Sequence, residues 1–481
     1  MRIIKSLLGL FLVVGVVSAC RAPVAEGSLL EEVIQVMNSK DQATIEKFLQ
    51  SKADSSVPLV DRVKGMMMIA ERGAPFTLKR VVSESGGQLK ALVSDARGLE
   101  HGFVLTLSPG STAKMVRLNV GPPEILEAKP VRTYAGWKTL AELCELVRAD
   151  AKAPALAVAT SRDGKIDIAV AGTRSLNNRV KVGPDEPWSI GSIGKSLCTT
   201  VIGKLIESGK LKWETKLGEV LPDVPMQPAY REVTVEQLMQ NRSGVPSDLR
   251  FDRETVDRMI GGETEPTKVR LLYAKDLLNR QPTSTPGTAF EYSNGGFAIL
   301  GVIAEKVTGV AYEKLVKTYV FNSLKLKSSF TNTDTLPKSR PSGHMMTPNG
   351  LEEANFFGVL DVMTASAGGG MFMSVGDLAR YGQAHLDGLK GKGGLLKPET
   401  IKRLHKGLPD GTGRGYACGW GIETVPGIGL MHGHNGSNGT MEAQLSLFPE
   451  KGMVVVSVMN VGSPMRPAPP LSAVLAVAAK N

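Results

Sequence analysis

The fold is decided by the stretch Pro187–Ser208, PWSIGSIGKSLCTTVIGKLIES, where a serine and a lysine stand three residues apart at the predicted start of a helix. Apolar residues then recur at helical spacing until Gly209 ends the pattern. The pattern predicts Ser192 at the N-terminus of a largely buried helix, with Lys195 one turn further on the same face. Two interpretations fit equally well. The pair is a nucleophile with its base, stabilised by free backbone N–H groups, or a capping serine beside a solvated lysine.

The chain holds one other Ser-x-x-Lys match, Ser111–Lys114. It follows Pro109-Gly110 and leads into a strand-like run, so a hairpin is predicted there. In a hairpin the two side chains need not share a face, and no helix N-terminus lies near. This second match is therefore not interpreted as a catalytic pair.

Two further segments favour the catalytic interpretation. Tyr292-Ser293-Asn294 is the only Tyr-x-Asn among eight tyrosines, and it stands between a Pro-Gly turn and an apolar helix. A tyrosine hydroxyl beside a lysine can relay protons, and an asparagine amide can hold a carbonyl; the alternative is a tyrosine that caps a loop. His434-Asn435-Gly436 is predicted between two strands, where glycine permits close backbone approach. His405-Lys406-Gly407 matches the same pattern, but Gly407 is more simply a helix C-cap.

Taken in this order, Ser192-x-x-Lys195, Tyr292-x-Asn294 and His434-x-Gly436 resemble the motifs of the penicillin-recognising serine hydrolases. The resemblance is to the branch of class C β-lactamases, D-alanyl-D-alanine carboxypeptidases, D-aminopeptidases and serine esterases. It covers residues 137–481, including the segments LKWETKLGEVLPD, VTVEQLMQNRSGVPSD and ASAGGGMFMSVGDLARYGQ. Each motif alone is weakly specific, whereas the set is highly specific.

The resemblance implies a role for each motif residue. Ser192 would be the acylated nucleophile, Lys195 its base, and Tyr292 the residue that carries the proton to the leaving group. Asn294 would bind the amide of the substrate. His434 would meet the substrate's carboxylate or orient the leaving group, with Gly436 beside it. The backbone N–H groups of Ser192 and Ser437 would form the oxyanion hole.

The third motif departs from the Lys-Thr-Gly that is usual in class C β-lactamases. Histidine at position 434 resembles the peptidase and esterase members, and Asn435 replaces a small hydroxyl residue, so weak or no β-lactam hydrolysis is expected. Asn241 stands where the family commonly has histidine, at a scaffold position by resemblance. An unperturbed histidine titrates near ~6.5. We therefore expect protonated His434 to bind a carboxylate substrate, and KM for that substrate to worsen as the pH rises through neutrality.

The organisation predicted for the chain is α+β with two folded parts. Residues 29–130 read as helices followed by an antiparallel meander, a small α+β domain whose layout resembles the nuclear-transport-factor-2-like (NTF2-like) cone. Residues 131–481 are predicted to form a β-lactamase/transpeptidase-like domain. It opens with the hairpin PALAVATS/KIDIAVAG and closes with three strands and a helix, with a mostly helical stretch between them.

The N-terminus is predicted to direct export. MRIIK is a basic segment, and an apolar segment of about 12 residues, too short to span a bilayer comfortably, follows it. Residues 1–19 resemble a lipoprotein signal peptide, with Cys20 as the lipidated residue and residues 20–28 as a tether; the alternative is plain secretory cleavage. The expected location is the bacterial cell envelope, lipid-anchored, on the periplasmic side of the outer membrane if the cell is Gram-negative.

Composition adds few constraints on partners. The net charge is +10, but the basic residues are scattered, so nucleic acid is not an expected partner. Cys144, Cys198 and Cys418 are predicted as small buried hydrophobes, and no cofactor or metal is expected. The sequence thus predicts an envelope serine hydrolase acting on D-amino-acid-ending peptides, small esters or, last, β-lactams, with a small molecule or peptidoglycan peptide as substrate. The alternative is a catalytically inactive periplasmic binding module of the penicillin-binding type.

Overall fold

A computed structural model describes most of the chain. The described residues are 26–53, 59–85, 88–107, 114–121, 126, 134, 136–246, 261–330, 339–347, 350–354, 369–409, 414–462 and 469–480. Contacts divide the chain into two units, Met1–Glu127 and Ala128–Asn481. The predicted signal peptide, Cys20 and Ser111 lie outside the described residues.

The first unit contains three helices followed by four strands. They are α1 (Glu26–Ser39), α2 (Gln42–Lys52), α3 (Leu59–Gly73), β1 (Thr77–Ser85), β2 (Gln88–Ser94), β3 (Glu100–Leu107) and β4 (Met115–Gly121). The strands form an antiparallel sheet in the order β1-β2-β3-β4. Apolar side chains of the helices, such as Val33 and Ile45, are buried together with Phe103 and Leu105 of β3. The likeness of this layout to an NTF2-like cone stays a prediction.

The second unit is built on an antiparallel eight-stranded sheet. Its strands are β5 (Ala155–Arg162), β6 (Lys165–Gly172), β12 (Leu408–Pro409), β13 (Gly415–Tyr416), β14 (Gly421–Val425), β15 (Gly429–Ser437), β16 (Glu442–Phe448) and β17 (Met453–Met459). They lie in the order β12-β13-β14-β15-β16-β17-β5-β6. The opening hairpin, β5 and β6, therefore joins the closing strands through the pairing of β5 with β17. Sequence periodicity identified five of the eight strands. It missed β12, β13 and β14, of which the first two are only two residues long.

Helices cover both faces of this sheet. The helices of the second unit are α4 (Leu140–Asp150), α5 (Gly194–Glu207), α6 (Leu217–Val220), α7 (Val235–Met239), α8 (Pro266–Asn279), α9 (Asn294–Thr308), α10 (Tyr312–Val316), α11 (Asn322–Leu324), α12 (Val375–Leu389), α13 (Pro398–Leu404) and α14 (Pro469–Lys480). Helices α4 and α14 pack on one face against Met453 and Val455. Helix α12 packs on the other face, where Val454 lies in the same core. All residues of β17 are therefore buried, which explains why its run MVVVSVM is apolar except for Ser457.

The stretch between the hairpin and the closing strands forms a helical subdomain with short strands at its edges. The strands are β7 (Trp188–Ser189), β8 (Ser329–Phe330), β9 (His344–Thr347), β10 (Gly350–Glu353) and β11 (Met371–Met373). Strands β7, β11 and β8 form one small sheet, and β9 pairs with β10. A 3-10 turn, Gly191–Ile193, leads from β7 into α5 and carries Ser192. The Ser-x-x-Lys segment thus lies next to the large sheet.

Candidate active site

The serine of the first motif lies where the 3-10 turn meets strand β15. Glycine is required on both sides of this contact: a β-carbon on Gly191 would lie 2.4 Å from Ser437 N, and one on Gly436 would lie 1.9 Å from Ile190 O. The same added carbon on Gly436 would also lie 3.0 Å from Ser192 N. This close approach brings the backbone nitrogens of Ser192 and Ser437 to one junction, as a two-donor oxyanion hole requires.

Lys195 is completely buried and is held by the other motif residues. Its Nζ lies 3.2 Å from Ser192 Oγ and also donates a hydrogen bond to Asn294 Oδ1, from a residue 99 positions away in the chain. The same Nζ lies 4.7 Å from the centroid of the Tyr292 ring and 5.3 Å from that of Phe297. A solvated lysine beside a capping serine is excluded by this burial, and the residue at the N-cap of α5 is Ile193 and not Ser192.

The loop that carries Tyr292 is fixed by Asn241. The side-chain oxygen of Asn241 accepts a hydrogen bond from Ser293 N at 3.0 Å, and its backbone carbonyl accepts one from Glu291 N at 2.8 Å. Ser293 in turn caps α9 by accepting a hydrogen bond from Gly296 N, so Asn294 is the first residue of that helix. Both neighbours of Tyr292 are thereby anchored, which holds its ring against the lysine.

The third motif lies inside β15 and not between two strands, which corrects the sequence prediction. Asn435 pairs with Gln444 of β16, so the ladder continues through the motif to Ser437. Alternation along the strand leaves Asn435 and Ser437 exposed, whereas His434 and Gly436 are buried. The motif thus presents His434 towards the site and Asn435 towards solvent.

His434 is surrounded by aromatic rings and is 7% exposed. Its ring centroid lies 6.1 Å from that of Tyr292 and 5.9 Å from that of Tyr416. Burial, and then the charge of Lys195, lower the pKa of His434 to about 4. The imidazolium that we expected therefore does not form near neutral pH. The expectation was wrong because it assumed an unperturbed histidine, and the sequence carries no information on desolvation at this position.

The geometry of the three motifs thus matches what acyl transfer through a serine needs. A sequence model of the family described as Beta-lactamase matches residues 140–480, which is most of the chain. The chain belongs to the beta-lactamase family. The part that matches contains Ser192, Lys195, Tyr292, Asn294, His434, Gly436 and Ser437.

Two curated proteins with related sequences are a penicillin-binding protein and protein flp. The chain is similar to penicillin-binding protein 4 of Amycolatopsis lactamdurans, with 26% identity over 68% of this chain and 86% of that protein. It is also similar to protein flp of Staphylococcus aureus, with 23% identity over 64% of this chain and 60% of that protein. The chain therefore spans less than two thirds of the length of protein flp.

Solved structures share the β-lactamase/transpeptidase fold, as predicted. An octameric penicillin-binding protein homologue from Pyrococcus abyssi is 27% identical, with a TM-score of 0.59 over 70% of this chain and 76% of that one. D-amino acid amidase from Ochrobactrum anthropi SV3 has a TM-score of 0.60 over 71% of this chain and 99% of that one. At 18% identity the second likeness concerns the fold alone.

Sequence reasoning missed a buried chain of histidines behind the site. His385 Nδ1 lies 3.1 Å from His405 Nε2, and His405 Nδ1 lies 3.1 Å from His432 Nδ1. His405 thus belongs to this chain and not to a third motif. Gly407 is not the C-cap of α13, because His405 is. A β-carbon at Gly407 would lie 2.8 Å from Ile422 Cγ1, so packing explains the glycine.

The described part of the chain offers neither a metal cluster nor a single spanning helix. No group of three or more His, Cys, Asp or Glu side chains there could hold a metal ion. In the same residues no single helix is long and apolar enough to cross a membrane; one bent pair, Asn294–Thr308 with Tyr312–Leu324, passes by length and composition alone. Much of that pair lies in the core of the helical subdomain, with Phe297, Ile299 and Leu300 completely buried.

Proposed function

We propose that this chain is a serine hydrolase that forms an acyl-enzyme on Ser192. One observation carries the proposal: the buried Lys195 Nζ lies 3.2 Å from Ser192 Oγ while Asn294 and the Tyr292 ring hold it from the other side. A base within hydrogen-bond reach of a nucleophile, itself oriented by a third group, is the arrangement that nucleophilic catalysis needs.

The acylation step follows from these positions. Lys195 acts in this step as the unprotonated amine: Ser192 Oγ attacks the substrate carbonyl carbon and its proton passes to Lys195 Nζ. The backbone N–H groups of Ser192 and Ser437 hold the oxyanion, and each such donor is worth about 2.7–4 kcal/mol in other acyl-transfer enzymes. Tyr292, beside Lys195, gives its hydroxyl proton to the leaving group as the bond to the carbonyl carbon breaks, and takes the proton that Lys195 received from Ser192. Lys195 and Tyr292 then take a proton from a water molecule, whose oxygen attacks the carbonyl carbon of the acyl-enzyme. The bond from that carbon to Ser192 Oγ breaks, the acid leaves, and the proton returns to Ser192.

The proposed substrates are peptides that end in D-amino acids and small esters. Asn294 Oδ1 is engaged by Lys195, which leaves the amide NH2 of Asn294 to hold a substrate carbonyl. A D-amino acid amidase shares this fold, which makes substrates with a D-configured residue the first to test. The His-Asn-Gly motif supports weak or no turnover of β-lactams.

We place this activity in the bacterial cell envelope, with lipid on Cys20 and peptidoglycan peptides as the accessible polymer substrate. The basic N-terminal segment, the short apolar run and Val17-Ser18-Ala19-Cys20 support the anchor. The small first unit would act as a spacer or a ligand-binding module.

Intact-mass labelling with a fluorophosphonate, and separately with a penicillin, tests the proposal. The wild-type chain is expected to gain one fluorophosphonate adduct, which peptide mapping places on Ser192 and which Ser192→Ala abolishes. Ser111→Ala removes the serine of the other Ser-x-x-Lys match and is the control that labels normally. An adduct that persists in Ser192→Ala contradicts the assignment. A wild-type chain that binds penicillin without any covalent adduct would be the inactive binding module.

A further inference from the structure

Both ring nitrogens of His434 already have partners. His434 Nδ1 lies 2.6 Å from the carbonyl oxygen of Asn435, which can only accept, so Nδ1 carries the proton. His434 Nε2 lies 3.2 Å from Tyr416 Oη. In a neutral imidazole with its proton on Nδ1, Nε2 is an acceptor, so the Tyr416 hydroxyl donates to it. The imidazole is thus saturated by the protein alone.

The surroundings of this pair oppose any change of charge. Tyr416 and His434 are each 7% exposed. The groups that face them are Lys195 from α5, Tyr292 from the loop before α9, Phe290 beside Tyr416, and the Asn241 side chain and the Cys418 thiol, which also lie near Tyr416. Lys195 disfavours a second positive charge on His434. Burial raises the pKa of Tyr416 well above its usual value, and Tyr292 adds to this, so its hydroxyl remains a donor at neutral pH.

We propose that Tyr416 is a positioning residue that fixes His434 as the neutral Nδ1–H tautomer, and that the third motif therefore selects substrates with a neutral ester or amide group facing it over carboxylates. The selectivity rests on the proposed function and narrows its substrates: small esters and amides are preferred over peptides that present the free carboxylate of a terminal D-amino acid to this motif. A carboxylate that faces the third motif needs a hydrogen-bond donor or a cation there. His434 supplies neither, because its one proton is donated to Asn435 O and Nε2 is an acceptor.

The first test of this proposal does not depend on turnover. Nitrogen-15 NMR of histidine-labelled protein reports the tautomer, and His434→Gln assigns the signal. Wild type is expected to show His434 with Nδ1 protonated and Nε2 unprotonated across the range about pH 6–8. Tyr416→Phe removes the donor, and the His434 signals are expected to move towards a mixture of the two tautomers. Unmoved signals in Tyr416→Phe, or a doubly protonated His434 in wild type, overturn the proposal.

The second test compares kcat/KM for a matched carboxylic acid and its methyl ester. A charge-assisted hydrogen bond is worth a factor of about ten or more in affinity, so wild type should prefer the ester by about tenfold or more. The preference should not vary between about pH 6 and 8. His434→Lys places a cation in the third motif. It should reduce the preference for the ester over the acid by about tenfold, mainly by lowering KM for the acid.

Tyr416→Phe should shrink the preference at every pH, because the neutral imidazole can then carry its proton on Nε2 and donate it to the carboxylate. Tyr230→Phe is the matched control: Tyr230 is also buried and loses a single hydrogen bond, to Gly244 O at 3.3 Å, but its hydroxyl does not contact His434. Its ester preference should equal that of wild type. A wild type that prefers the acid, or equal preferences in Tyr416→Phe and wild type at every pH, contradicts the inference. Absence of the Ser192 adduct contradicts the proposed function instead, and the NMR result still decides the role of Tyr416.

Discussion

Asn241 shows how one residue outside the three motifs controls the site. Its side chain and its backbone carbonyl bind the residues on either side of Tyr292. Its own φ is 56°, in the left-handed region that asparagine tolerates better than most residues with a side chain. The sequence had marked Asn241 only as a departure from the usual histidine. In the structure its hydrogen bonds hold the loop that carries Tyr292.

Replacement of Asn241 is expected to lower both stability and reactivity. Asn241→Ala leaves the buried Ser293 N–H without its acceptor, which costs about 1–3 kcal/mol. Alanine also adds about 1–2 kcal/mol of strain at a positive φ. Urea unfolding measures the loss, and the rate of fluorophosphonate labelling should fall with it, because Tyr292 is no longer held beside Lys195.

Asn241→Gly is the control that separates the two contributions. Glycine adopts the positive φ without strain but offers no acceptor. It should therefore slow labelling as alanine does while destabilising the fold less. Labelling at the wild-type rate in both variants would show that Asn241 does not position Tyr292.

At the scale of elements, four pieces of the second unit meet in the histidine chain. Thr200 of α5 donates to Ser196 O at 2.9 Å, so its oxygen accepts from His385 Nε2 of α12 at 3.0 Å. His385 Nδ1 then accepts from His405 at the end of α13, and His405 accepts from His432 of β15. Both ring nitrogens of His385 and of His405 are satisfied in the neutral form, and the direction of the chain is set by one backbone carbonyl.

This chain is expected to make stability depend on pH. Burial lowers the pKa of His432 to about 4 and that of His385 to about 3, and it holds the pKa of His405 well below its usual value. Unfolded histidines take up protons below ~6.5, whereas the folded ones stay neutral. The stabilisation is therefore complete above about pH 6.5 and is lost as the pH falls towards 4. For His432 alone it amounts to about 3 kcal/mol.

Unfolding free energy measured against pH checks this expectation. His432→Gln should reduce the slope by about 1.4 kcal/mol per pH unit between about pH 6 and 4.5, the value for one proton. Repeating the titration in high salt is the control, since salt screens exposed ion pairs but not desolvation. A slope equal to that of wild type in His432→Gln would contradict the neutral chain.

At the scale of the whole molecule, the cysteines divide into two kinds. Cys144, Cys198 and Cys418 are free thiols in the described residues, all completely buried, as the sequence predicted. Burial raises the pKa of Cys144 and of Cys198 to about 12, so these thiols are inert near neutral pH. Cys20 precedes the described residues, next to the apolar segment. It is the cysteine that the sequence offers for lipid attachment.

Cys20→Ser is expected to abolish lipid attachment. Metabolic labelling with a palmitate analogue in a bacterial host measures it, followed by fractionation of the envelope. Cys144→Ser is the matched control, because the Cys144 Sγ donates to Leu156 O at 3.2 Å and a serine hydroxyl can make the same bond. It should incorporate label as wild type does. If Cys20→Ser incorporates as much palmitate analogue as wild type, the lipoprotein proposal is contradicted.

The sequence by itself determined what depends on short spacings. Ser192, in the 3-10 turn, and Lys195, in the first turn of α5, lie side by side because they are three residues apart. The hairpin and the closing strands follow from their alternation and turn residues. The order of the three motifs indicated the family, and with it the β-lactamase/transpeptidase fold. Strands of two residues, such as β13, have no alternation to read and were missed.

Only the tertiary structure decided which distant groups meet and how charged they are. Lys195 and Asn294 are 99 positions apart, and Thr200 and His385 are 185 apart, so nothing local relates them. Tyr416 carried no recognisable signal, yet it occupies one nitrogen of His434. The neutral state of His434 arises from desolvation and from the nearby Lys195. Desolvation and charge proximity are properties of the packed surroundings, which exist only once the chain has folded.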